Sequence, residues 1–286
     1  MSIGEHIKFV DIIKQDTEIC KSFQVFLGSP MSLKIKEFVS DNDIKLFSHG
    51  AYVFNIAQYT NYKNKGEDEY DNSLTLLDNA MLNRAINELE NISKCGGIGS
   101  VFHVGKHLSK NKDIDKSPFK DNMYHFIKDV IDSTSNVNSW FILETAAGQG
   151  TELLVELEKL GDFYNRFSKK YKKRVKICID TCHIFASGFD ICDNCKHIIA
   201  DIDKYIGWDN VALIHLNDSQ KPLNSRVDRH QNLNKGFITD KGKKSKGLQR
   251  FVKYCYDIDK PIILETPTKT KNSRKNDIEI MSSWCS

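Results

Sequence analysis

Short, nearly continuous apolar runs alternate along this chain with longer stretches in which apolar residues return every three to four positions. The runs VFHV, WFILE, VKICID, VALIHL and PIILE lack the in–out alternation of a half-exposed strand. They read as strands buried on both faces, as parallel sheets require. The pattern predicts strands over 3–8, 22–26, 45–49, 100–104, 140–145, 175–180, 211–216 and 261–266. Between them lie helical patterns; the one over 76–95 stops at Gly96 and Gly97, a favourable C-terminal signal. Eight strands alternating with helices predict one α/β domain over 1–286, a closed (β/α)8 or TIM barrel. An open doubly wound sheet is the rival, weakened by the lack of a GxGxxG after the first strand. Residues 59–72 (YTNYKNKGEDEYDN) are polar without a helical stripe, which predicts a surface loop after strand three.

Composition narrows the function classes. With 40% hydrophobic and 28% charged residues the chain is built to fold, and only 5 prolines and 16 glycines exclude collagen-like architectures. A net charge of +3 permits nucleic-acid binding without arguing for it. Eight cysteines are too few for a disulfide-dense module. Cys192 and Cys195 form a single CxxC with no second pair at finger-like spacing, so loop thiols or a local disulfide are a better reading than a zinc ribbon. No apolar run approaches the roughly 18–20 residues of a membrane helix. Glu5 and Asp11 interrupt the N-terminal stretch, so no secretory signal is expected and the chain reads as soluble and intracellular.

The residues that close the strands carry the chemistry. In parallel barrels, catalytic groups come from the C-terminal strand ends and the loops after them. Strand three ends at His49, strand four at His103, strand five at Glu144, and strand six at Asp180 with His183 just beyond. Strand seven contributes His215, its following loop Asp228 and His230, and strand eight Glu265. Singly, each has an ordinary reading as a hydrogen-bonded strand end. Together they would place several unpaired buried carboxylates at one mouth, at several kcal/mol each, unless cations neutralise them. Five imidazoles and four carboxylates suit Zn, Mn or Fe better than Ca or Mg. Nine donors exceed the needs of one tetrahedral ion, which implies two or three ions. Closely spaced ions of this kind hydrolyse phosphate esters.

The motifs at these strand ends resemble those of the endonuclease IV family of apurinic/apyrimidinic (AP) endonucleases. They are HGAYVFN (49–55), FHVGKHL (102–108), LETAAGQG (143–150), CIDTCHIFASGFDI (178–191), HLNDSQKPLNSRVDRH (215–230) and ILETP, with an opening IGEH (3–6). The resemblance spans essentially the whole chain. It implies three Zn2+ ions, with Mn2+ possible in part. His49 and His103 would hold one ion, with Glu144 bridging to a second completed by Asp180, His215 and Glu265. His183, Asp228 and His230 would hold the third. It further implies hydrolysis of the phosphodiester 5′ to an abasic site in double-stranded DNA, leaving a 3′-hydroxyl, and removal of 3′ blocking groups. Glu144 and Glu265 would also orient the attacking hydroxide. Tyr52, with Val53 beside it, matches a residue the family inserts into the minor groove, and Arg229 matches an arginine that reaches a phosphate. A monomer is expected.

The chain departs from the family in several places. After strand two it reads FLGSPMSLK, without the family's wedge arginine; Met31 and Lys34 are the residues available there. After VDRH the family's acidic position is Lys235, which puts the loop's shape in question. Lys235, Lys241, Lys243, Lys244 and Lys246 follow strand seven on the expected catalytic side and are candidates for phosphate contacts. The cluster KKYKKR (169–174) precedes strand six, so it belongs at the opposite mouth, away from catalysis. The rival enzyme is a single-metal sugar isomerase or epimerase on a related barrel, for which Glu144, Asp180, His215 and Glu265 would suffice. A non-catalytic relative would be expected to have a broken donor set, and all nine positions are filled here.

Overall fold

The structure is a computed structural model that describes residues 3–7, 20–27, 33–50, 55–64, 72–111, 113–240, 242–243, 246–268 and 273–286. Parallel strands β1 (Ile3–Ile7), β2 (Ser22–Val25), β3 (Lys45–His49), β4 (Gly99–His103), β5 (Trp140–Glu144), β6 (Val175–Asp180) and β7 (Val211–Leu216) follow in order. A short antiparallel ribbon of β8 (Asp218–Ser219) and β9 (His230–Gln231) comes next, and β10 (Ile262–Leu264) then pairs with both β7 and β1. The eight parallel strands thus form a closed barrel, as the alternation of apolar runs predicts.

Helices α1 (Leu33–Asp41), α2 (Asn72–Lys94), α3 (Ser117–Ser133), α4 (Leu157–Tyr164), α5 (Lys169–Lys172), α6 (Thr181–Ala186), α7 (Cys195–Tyr205) and α8 (Lys246–Asp257) lie between strands, and α9 (Ser273–Cys285) follows β10. Each long helix presents an apolar stripe to the barrel. In α8, Leu248, Phe251, Val252 and Cys255 are buried at the i, i+3, i+4, i+7 spacing of one helical face. α2 ends as the two glycines predict: Gly96 adopts φ +73°, where a side chain would be strained. No helix among the described residues is long and apolar enough to cross a membrane.

The expected surface loop over 59–72 is corrected at its start, and residues 65–71 lie outside the described residues. Tyr59 is fully buried and its hydroxyl donates to Asp129 at 2.6 Å. The Thr60 amide and hydroxyl both donate to Asp78 at 2.9 Å, a 3-10 turn spans Asn61–Asn64, and α2 begins at Asn72. Thr60 is thus anchored to the first turns of α2, and the Tyr59 ring enters the core.

Alternation along each strand sorts its side chains between the barrel bore and the helical layer. Phe47, Val101, Ile142, Cys178, Leu213 and Ile263 pack together as one apolar layer across the bore. Two residues further along the same strands stand His49, His103, Glu144, Asp180, His215 and Glu265. The apolar layer is therefore a floor, and the polar layer lies above it at the C-terminal mouth.

Candidate metal centre

Strand register brings the donors together. His103 pairs across from Glu144, and Asp180 from His215. Glu144 is central and almost fully buried. Its Oε2 lies 3.1 Å from His103 Nδ1 and 3.5 Å from His49 Nε2. Its Oε1 lies 2.8 Å from His215 Nδ1 and 3.5 Å from His183 Nδ1. His215 Nδ1 is also 3.2 Å from Glu265 Oε2. On the far side, Asp228 lies 3.3 Å from His183 Nε2 and 3.2 Å from His230 Nε2, and the latter is 3.6 Å from Asp180 Oδ2.

Local folding explains several of these positions. Asp180 ends β6 and caps α6, accepting from the His183 amide at 2.8 Å, so the DTCH spacing sets the imidazole one turn from the carboxylate. His49 Nδ1 sits 2.8 Å from the Gly50 carbonyl, and His183 Nδ1 sits 2.8 Å from that of Thr145. A ring nitrogen tied to a backbone carbonyl carries a proton, so Nε2 is the atom left to face the centre. Asp228 and His230 come from the loop and ribbon between β8 and β9. Two buried aspartates hold the segment that follows. Asp218 accepts from the amides of Ser219, Gly236 and Ile238 at 2.8, 2.9 and 3.0 Å. Asp277 accepts from Asn232 Nδ2 at 2.7 Å and the Leu233 amide at 3.1 Å. Gly236 is obligatory for this packing, since a Cβ there would collide with the Ser219 carbonyl oxygen. Position 235 adds only its backbone amide, which donates to the Asn232 carbonyl at 3.2 Å.

Electrostatics within the cluster is strongly coupled. Burial works to raise the Glu144 pKa, but the surrounding His103, His215 and His183 outweigh it and hold the carboxyl well below its usual range. Burial pushes the His103 imidazole down to about 4, despite the Glu144 charge. His230 goes the other way, to about 9, because Asp180 and Asp228 overcome its burial.

The donor set fits metal ions. The nine side chains fall into three groups whose ligand atoms lie within 4.8 Å of one another: His49, His103, Glu144; Glu144, Asp180, His215, Glu265; and His183, Asp228, His230. Glu144 Oε2, His183 Nε2 and His230 Nε2 are fully buried and meet only other donors of the cluster, as ion pairs without full hydrogen-bond geometry. A buried polar atom left this way costs about 1–3 kcal/mol, which a shared cation would remove. Cys178 and Cys182 also approach these groups. Among the described residues, no such group contains Cys192 or Cys195, and the eight cysteines form no disulfide.

The residue that strand-end reading misses is Gln24. It stands fully buried on β2, its amide donates to Glu265 Oε1, and its Oε1 lies 2.8 Å from His215 Nε2. Its signal is a polar residue at bore parity inside an apolar run. Asn217 donates to Asp180 Oδ2 at 2.7 Å. Arg274 grips the carbonyls of Leu264 at 3.0 Å and Thr266 at 2.9 Å, on either side of Glu265, and pairs with Glu5 at 3.2 Å.

Beside the centre opens a cavity of about 460 Å³, lined by His103, His183 and Asp228 together with Lys106, Gln149 and Arg229. Arg229 is thus at the mouth. Lys235, Lys243 and Lys246 are exposed. Tyr52, Val53, Met31, Lys241 and Lys244 lie outside the described residues, and Lys34 falls in the first turn of α1.

A family model described as a xylose isomerase-like TIM barrel matches residues 27–284. A protein named putative endonuclease 4, from Acanthamoeba polyphaga mimivirus, is 31% identical over 295 residues, covering 96% of this chain and 88% of that protein. The chain belongs to the endonuclease IV family. A second relative of that family, the probable endonuclease 4 of Halothermothrix orenii, is 28% identical and covers 99% of this chain and 98% of its own length. Among solved structures, endonuclease IV of Thermus thermophilus superposes with a TM-score of 0.78 at 19% identity, covering 99% of this chain and 98% of that one. A D-tagatose 3-epimerase-like protein superposes with a TM-score of 0.67 at 14% identity, covering 99% and 97%. At these identities the superpositions speak for the barrel alone. Membership of the endonuclease IV family rests on the sequence matches.

Proposed function

We propose that this endonuclease IV family member is a zinc-dependent AP endonuclease that hydrolyses the phosphodiester 5′ to abasic sites in double-stranded DNA, leaving a 3′-hydroxyl. The observation that carries the reading is the grouping of nine donors into three sets around Glu144 at one barrel mouth. His49, His103 and Glu144 would hold one zinc ion, Glu144 with Asp180, His215 and Glu265 a second, and His183, Asp228 and His230 a third. Manganese could replace zinc in part. Bound zinc supplies a hydroxide near neutral pH and offsets charge on the phosphate and the leaving 3′-oxygen.

The chain's own side chains do the positioning. Glu144 and Glu265 accept hydrogen bonds from the attacking nucleophile and aim it in line with the leaving oxygen. Gln24 fixes the Glu265 carboxylate from below, and Arg274 fixes the backbone on either side of it. Arg229 faces the cavity where a phosphate would lie. Lys235 is exposed on the same side as a further phosphate contact. Tyr52 and Val53 are assigned to the minor groove on their motif alone, holding the gap from which the abasic sugar has swung out. Such extrusion is cheapest where no base pairs or stacks, which favours damaged over intact DNA. The same in-line geometry serves removal of 3′ blocking groups. The protein would act as a monomer within the compartment where the genome is repaired.

The single-metal isomerase reading leaves His49, His103, His183, Asp228 and His230 without a role. A duplex carrying one tetrahydrofuran abasic mimic separates the two, because the mimic resists β-elimination. The parent protein should cut it to a 3′-hydroxyl product, and Glu265→Gln should not. Metal analysis should find zinc at close to three ions per chain. An uncut duplex with zinc-loaded protein, or a single manganese or magnesium ion, would move the assignment to sugar substrates.

A further inference from the structure

At the N-terminal mouth, on the far side of the apolar floor from the metal centre, lies a second cavity of about 180 Å³. The proposed nuclease activity makes no use of it. Phe47 and Trp140 form part of its apolar wall, and Lys45, Lys176, Lys260, Asp209 and Asp259 supply its charges. Lys45 is paired with Asp259 at 3.1 Å. The Lys176 ammonium donates to the backbone carbonyl of Asp209 at 3.2 Å and lies 5.7 Å from the Trp140 ring centre. The Lys260 ammonium makes no hydrogen bond or ion pair with any described residue. Burial lowers the pKa of both Lys176 and Lys260; Lys260 adds to the effect on Lys176, Lys45 adds to that on Lys260, and Asp209 opposes both.

Two half-buried ammonium groups in one cavity, countered by Asp209 and, at Lys260, by an Asp259 already paired with Lys45, repel each other and retain unused donors. A multivalent oxyanion relieves both conditions at once, because its oxygens can accept from both ammoniums together. A monovalent halide could not bridge them as well, and a cation would meet three lysines. We propose that this cavity binds a phosphate group between Lys176 and Lys260, either free inorganic phosphate or the phosphate of a mononucleotide. The floor of Phe47, Val101 and their neighbours separates this site from the metal centre, so occupancy is independent of the mouth that cuts DNA.

The test is calorimetric titration of the metal-loaded, full-length protein with sodium phosphate at constant ionic strength, repeated with deoxyadenosine 5′-monophosphate. Lys176→Met and Lys260→Met should each weaken phosphate binding by about tenfold, the loss of one charge-assisted hydrogen bond. Lys260→Arg should retain binding, and Arg229→Ala at the opposite mouth should leave it unchanged. Cleavage of the abasic duplex by Lys260→Met should stay within about twofold of the parent, which also shows that the variant folds. Tighter binding of the nucleotide would make the ligand a nucleoside phosphate; equal or weaker binding would make it phosphate itself. Loss of binding in Arg229→Ala with the lysine variants unaffected would place the anion at the metal mouth and overturn the proposal. So would the absence of saturable binding by either ligand.

Discussion

Replacing Glu88 with glutamine tests how the barrel treats a carboxyl group trapped behind the donor layer. Glu88 projects from α2 toward the outer side of β3, where its Oε1 is fully buried and has no hydrogen-bond partner. Burial pushes its pKa from an ordinary 4.5 up to about 7, against the opposing effects of a hydrogen bond to Ser48 and the nearby His49. The folded protein therefore holds this proton more tightly than the unfolded chain. The associated stability is fully present below 4.5 and is lost as pH rises to about 7. Taken at face value, that shift corresponds to about 3 kcal/mol; the side chain is partly exposed, and solvent screening reduces it to about 1–2 kcal/mol. Glu88→Gln should exceed the parent only slightly near pH ~5, where the loss has just begun, and by about 1–2 kcal/mol at pH ~8. Urea unfolding of both metal-loaded proteins at the two pH values measures the difference. The donor residues titrate alike in both proteins, so the comparison isolates position 88. An advantage that does not grow with pH would refute the reasoning.

Other perturbations read out the centre and its supports. Gln24→Ala should reduce zinc affinity or turnover by about 10–100-fold, the usual cost of removing a group that orients a ligand; unchanged kinetics and metal content would show that Glu265 holds its own position. Gly236→Ala should cost about 1–3 kcal/mol, because its Cβ would meet the Ser219 carbonyl oxygen and the Asp218 carboxylate. The same variant should lose zinc from the group containing Asp228 and His230 first, which metal analysis after dialysis would detect. Burial pushes the thiols of Cys178 and Cys182 up to about 12, so both should resist iodoacetamide at pH ~8 in the folded protein. Carboxamidomethylation of either before unfolding, seen by peptide mass spectrometry, would contradict that.

Much of the centre was legible because parallel strands leave their last inward residue at one mouth, so a polar residue closing an apolar run reports its own destination. His49, His103, Glu144, Asp180 and His215 all follow that rule. Gln24 did not stand out because it sits inside its run, where only the parity of the strand shows that it faces the bore. The β8–β9 ribbon escaped notice because two-residue strands leave no periodic signal. Its loop takes its shape from Asp218 and Asp277, whose roles appear only when distant amides converge on them. The basic run before β6 illustrates the reverse case. Within it, Arg174 donates to the carbonyls of Thr134 at 2.7 Å and Ser139 at 3.0 Å, which bonds the α3–β5 connection to β6. Charge in a sequence does not distinguish a solvated patch from such a clasp.

The floor of Phe47, Val101, Ile142, Cys178, Leu213 and Ile263 makes the barrel a blind tube. On the proposed reading, ions, water, substrate and product share a single doorway. A duplex lying across that doorway also bars the way to a chelator. Turnover and metal exchange then become mutually exclusive events: the enzyme is most vulnerable to losing its ions while it searches, and safest while it is engaged on a lesion.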